Sequence, residues 1–107
     1  MSLDVALLVQ KPTEVYSANI THNLCSMAKE AGIYMHLWRP EEIGLTKAGD
    51  LIEPLRAGLE LMKEDPARFE KHNSQNGWGL YKHFVPFVEK YLAACEENPG
   101  ATIWVSR

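Results

Sequence analysis

The apolar positions of this 107-residue chain alternate at its two ends and recur every three or four residues in between. Over Leu3–Gln10, Leu3, Val5, Leu7 and Val9 share one face and Asp4, Ala6, Leu8 and Gln10 the other, a period of two that predicts a strand. Lys11-Pro12 interrupts it, because proline has no N–H to give to a ladder, and Glu14-Val15-Tyr16 can resume an extended path. Thr21 is a good N-cap, with Ile20 before it as a hydrophobic staple. From there Leu24, Met27, Ala28 and Ala31 mark an amphipathic helix that Gly32 ends. Ile33–Trp38 reads equally as a short helix or an extended segment, and Pro40 opens a further turn with Glu41 and Glu42 at its positive end.

A second long helix is predicted from Thr46, with Leu51, Ile52, Leu55, Leu59 and Met62 as its stripe. Pro54 predicts a kink or a division into two pieces there. Asp65-Pro66 starts a short helix carrying Phe69, and Lys71–Gly79 is a polar loop around Trp78. The clearest helix carries Tyr81, Phe84, Val85, Val88, Leu92 and Cys95, and Asn98-Pro99-Gly100 stops it. Thr102–Ser106 then alternates as a strand. The expectation is an α+β fold, one globular domain over residues 1–107, in which the N- and C-terminal strands pair and three to four helices cover them. The pattern leaves the pairing direction open. A small sheet also leaves edges through which two copies can join.

Composition narrows the function classes. Apolar residues make up 46% and charged ones 23%, as in ordinary globular domains. The net charge of −3, with Lys and Arg scattered, argues against a dedicated nucleic-acid binder. No apolar run has the length of a membrane span. Asp4 interrupts the short apolar start, which lacks a basic region and reads as a strand rather than a signal peptide. A cytoplasmic protein is expected, with Cys25 and Cys95 as free thiols; a disulfide or a reactive thiol is the alternative.

Candidate chemistry lies in two places. Ser17, Asn19, Thr21, His22 and Asn23 gather at the expected helix mouth, where unpaired N–H groups attract anions. If the chain folds back, Trp38 adds a stacking face and Arg39 a cationic fork, a set that suits a phosphate or carboxylate with a ring attached. The plainer alternative makes Thr21 a cap, Trp38 a core residue and Arg39 the ion-pair partner of Glu41 or Glu42. The second place is the loop with His72, Asn73 and Trp78, whose amides can read hydrogen-bonding edges. Its alternative is a solvated connection that Trp78 anchors to the core. His22, His36, His72 and His83 show no metal-ligand spacing, so no metal and no cofactor are expected. A nucleophilic Cys25 would have only His22, three residues before it, as a base.

The phrases YSANITHNL, MAKEAGIYMHLWRPEEIG and GWGLYKHFVPFVEKYLAACEENP resemble a small protein family of unknown function from bacteria and their phages. The likeness runs along nearly the whole chain. It implies an intracellular protein of phage or prophage type and transfers no catalytic residue. Three functions follow in order of support. The first is a non-catalytic protein binding a small anionic, nucleotide-like ligand near Thr21. The second is an interaction module or homodimer acting on a host or phage protein. The third is a small enzyme using His22 as acid or base with Asn23, Arg39 or His72.

Overall fold

The computed structural model describes residues 2–9 and 13–107. Lys11-Pro12, expected to break the first strand, lies outside the described residues. Strand β1 (Ser2–Val9) runs through the middle of a three-stranded antiparallel sheet of order β2-β1-β3, flanked by β2 (Thr13–Thr21) and β3 (Thr102–Ser106). The two terminal strands therefore pair, as their alternation implies, and Val5 opposite Val105 sets the register. Strand β2 is the element least evident in the sequence pattern. Its polar residues Ser17, Asn19 and Thr21 alternate with Tyr16, Ala18 and Ile20, which is a strand pattern with small side chains. Register shifts at Leu7/Leu8, where the chain around Val15 carries an irregularity.

Leu3, Val5 and Leu7 of β1, with Ile20 of β2, are buried on one face of the sheet. The helices lie on that face: α1 (Cys25–Glu30), α2 (Tyr34–Trp38), α3 (Ile52–Glu64), α4 (Pro66–Glu70) and α5 (Tyr81–Glu97). The opposite face keeps Trp104 45% exposed. Segment 34–38, open between helix and strand, is helical because Leu37 and Trp38 then both point into the core. Helical structure expected from Thr46 begins at Ala48, as a 3-10 turn (Ala48–Leu51) that passes into α3. Pro54 sits in the first turn of α3, where a missing N–H costs nothing, so α3 continues unbroken after it.

Helices α3 and α5 pack antiparallel, since Arg56 bonds Glu96 while Lys63 bonds Glu89. These exposed ion pairs add little stability. The burial of Leu55, Met62, Phe69, Phe84 and Val88, all fully covered, holds the layer together. Tyr81 at the start of α5 donates to the Met62 carbonyl at 2.7 Å. Tyr16 stacks on Tyr91 with ring centroids 5.8 Å apart, which lays α5 along β2. Among the described residues, no helix is long and apolar enough to cross a membrane.

Candidate functional site

A cleft of about 1010 Å³ opens between the β2 end of the sheet, the turn that follows it, the loop before α5 and the first half of α5. It joins the two segments singled out in the sequence. Asn19, Thr21, His22 and Asn23 line one side, Asn76, Gly77, Trp78 and Gly79 a second, and His83, Pro86, Phe87 and Lys90 a third.

The Thr21 end is not an α-helix mouth. Thr21 accepts from the Asn23 N–H at 3.2 Å and so caps, as expected, but what it caps is a 3-10 turn of three residues, His22–Leu24. Helix α1 starts only at Cys25 and is six residues long. So short a helix carries little macrodipole, and any anion held here would be held by side chains. Ser17 lies opposite Ala6 in the ladder, is exposed and does not line the cleft. Asn19 reaches only the rim, its amide donating to Asp4 Oδ1 and Ser2 Oγ.

His22 is held from behind. Trp38 Nε1–H donates to His22 Nδ1 at 2.8 Å, and indole nitrogen can only donate. Nδ1 is therefore the lone-pair nitrogen, and the neutral ring carries its proton on Nε2. That N–H bonds to none of the described residues and is left for the cleft or solvent. Trp38 is thereby a core residue, 1% exposed and stacked on Tyr34, not a face for a ligand. Arg39 turns away with it, bonding Glu42 at 2.7 Å and Tyr34 Oη at 3.3 Å, and stays outside the cleft.

The loop before α5 is tied by its own polar residues. Asn73 Oδ1 accepts from the Tyr81 N–H at 2.7 Å and caps the first turn of α5. Asn76 Oδ1 accepts from the Trp78 N–H at 2.9 Å. The Trp78 carbonyl accepts from Asn23 Nδ2 at 2.9 Å and from the Ser74 hydroxyl. Gly79 closes the contact: its φ is +95°, and a Cβ there would stand 2.9 Å from Asn23 Cβ and 3.0 Å from Thr21 Cγ2. The backbone of Trp78 is pinned to the His22 turn while its ring, 70% exposed, stands at the mouth of the cleft. Trp78 therefore does not anchor the loop to the core. His72 is elsewhere, 3.2 Å from Glu30, whose carboxyl Arg68 and His72 hold below the usual range.

Lys90, His22 and His83 line the cleft without a single carboxylate among the described residues, in a chain with 14 acidic residues. Phe87, Pro86 and Tyr16 supply an apolar wall. Periodicity marked the α5 positions as helical but did not single out Lys90, His83 or Phe87; the sequence signal available was their i, i+4, i+7 spacing on one helix face. The thiols are not part of this site. Burial pushes the Cys95 thiol up to about 12 and raises Cys25 against the pull of Lys29 and Arg39, so neither is activated. Among the described residues no three His, Cys, Asp or Glu side chains form a group that could hold a metal.

The chain matches no family model, no curated protein and no solved structure.

Proposed function

We propose that this chain is a non-catalytic binding protein that holds an anionic ligand in the cleft between β2 and α5. One observation carries the reading: two segments distant in sequence converge on a concave surface that, among the described residues, has one lysine and two imidazoles but no carboxylate. The ligand's charge is met by Lys90, and its hydrogen-bonding atoms by the imidazoles of His83 and His22, the latter through Nε2–H. Trp78 offers a face to a ring, which makes nucleotide-like molecules the small-molecule class to test. The likeness to small bacterial and phage proteins gives this a setting, the sequestration of a host molecule. Catalysis is supported less, since Arg39 and His72, two of the three partners considered for His22, lie outside the cleft, and the third, Asn23, gives its amide to the Trp78 carbonyl.

The test is titration calorimetry against mononucleotides, preceded by native mass spectrometry of the purified protein. Lys90→Ala should weaken an anionic ligand by about 1.5–3 kcal/mol, the range for a charged hydrogen bond. Arg39→Ala should leave affinity unchanged. The reverse pattern would remove the cleft from consideration.

A second reading rests on the uncovered face of the sheet, where Trp104 is 45% exposed beside the partly exposed Leu8. It makes that face a homodimer contact. Sedimentation at increasing concentration checks it, and a monomer throughout would end it.

A further inference from the structure

The two edges of the sheet are treated differently. Outside β3, Lys47 bridges Thr102, and the Ile103 N–H donates to the Thr46 carbonyl at 2.9 Å, so that edge is partly covered. Outside β2, the backbone of residues 14–20 bonds only to β1 among the described residues. In an antiparallel pair every second residue of an edge strand turns its N–H and C=O outward, so β2 presents a row of unused donors and acceptors. The usual protections are thin. Residues 14–21 contain no lysine and no proline, one charge, Glu14, and an irregularity only near Val15.

This free edge is the wall of the cleft, and α5 runs along it. The start of α5 is near Thr21, where Gly79 touches the turn, and Tyr91 stacks on Tyr16 at the other end. From Tyr81 to Tyr91 the helix rises about 15 Å. From Thr21 to Tyr16 the strand spans about 17 Å. Helix and strand are thus antiparallel and matched in length, with His83, Phe87 and Lys90 facing the channel between them.

We propose that the cleft receives an extended, acidic peptide segment of five or six residues, which adds to β2 as a fourth strand. The proposal rests on the reading that the cleft is the binding site and names the class of ligand. Backbone hydrogen bonds to β2 would hold the segment whatever its sequence. Selectivity would come from alternate side chains, apolar ones against Phe87 and Tyr16 and acidic ones toward Lys90 and His83. A second copy pairing through β2 is disfavoured, because residues 14–21 bring one acidic side chain, Glu14, at the strand's end, and Lys90 of α5 would go without a run of acidic partners.

The experiment is a selection of displayed random hexapeptides on the whole protein, followed by amide hydrogen exchange with the best synthetic peptide. Expected are selected sequences rich in Asp, Glu and β-branched residues. The outward-turned amides within residues 16–21, every second one, should become protected on binding, and Lys90→Glu should weaken affinity about tenfold to a hundredfold. N-methylation of alternate peptide amides should abolish binding. Bound peptides that leave those amides unprotected, or that tolerate N-methylation at every position, would overturn strand addition. So would a dimeric free protein whose β2 amides are already protected, which would assign the edge to a second copy. Adenosine monophosphate serves as the parallel probe. If it binds in a Lys90-dependent way and no peptide does, the cleft stands and the peptide falls; if neither binds, both fall.

Discussion

Gly79→Ala tests the contact on which the site is built. Two costs arise at this position. An L-residue at φ +95° gives up about 1–2 kcal/mol relative to glycine. The added methyl meets Asn23 Cβ at 2.9 Å and Thr21 Cγ2 at 3.0 Å, and forcing it into place adds about 1–3 kcal/mol. Gly77 is the internal control, because its φ is +79° but none of the described residues lies within 4 Å of its missing Cβ. Gly77→Ala therefore carries only the backbone cost. For 107 residues the unfolding entropy is about 0.2 kcal/mol per kelvin. Gly79→Ala should then lower Tm by about 9–22 °C and Gly77→Ala by about 4–9 °C by the same conversion. Thermal unfolding by circular dichroism measures both. A Thr21→Ser change keeps the capping hydroxyl and removes Cγ2, so in the Gly79→Ala background it should recover part of the loss. Equal losses at Gly77 and Gly79, with no recovery from Thr21→Ser, would refute the claim that the loop is packed on the His22 turn.

Three further outcomes follow from buried groups. His36 Nδ1 is buried without a partner among the described residues, and burial holds the imidazole below its ordinary 6.5. The unfolded chain thus binds its proton first, so stability is full above about pH 6.5 and falls as pH drops toward the folded value. Urea midpoints at pH 7.5 and pH 5.5 should differ more for the parent than for His36→Asn, and equal differences would exclude His36. Cys25 and Cys95, both raised by burial, should react slowly with a disulfide reagent at neutral pH and release two equivalents only in denaturant. Immediate release of one equivalent would show an activated thiol. The Trp38 bond predicts the Nε2–H tautomer for neutral His22, read from the imidazole nitrogen shifts by NMR. Trp38→Phe should cost about 1–3 kcal/mol and let the tautomers mix; an Nδ1–H ring in the parent would contradict the bond.

Much of the fold is legible along the chain because it depends on local periodicity. The alternation in Leu3–Val9 and Thr102–Ser106 and the stripe from Phe84 to Cys95 each give one element one apolar side, and an element with one apolar side must lie against another. The capping role of Thr21 and the helical turns opened by Pro40 and Pro66 were equally local. What the chain could not announce was β2. Its outward residues are small and polar and its inward ones include Ala18, so the same letters serve a turn or an edge strand until β1 offers its backbone. The site follows the same division. The polar chemistry of Thr21–Asn23 and of the Trp78 loop was visible, but their meeting across 55 residues depends on Gly79 fitting against Asn23 and on Asn23 reaching the Trp78 carbonyl. Trp38 and Arg39 were plausible ligand groups by type alone. Packing decided otherwise, because an indole is worth more buried against Tyr34 than exposed, and the guanidinium beside it had Glu42 within reach. Local pattern determined which residues carry helix, strand and polar function, and only the folded backbone decided which of them share a cleft.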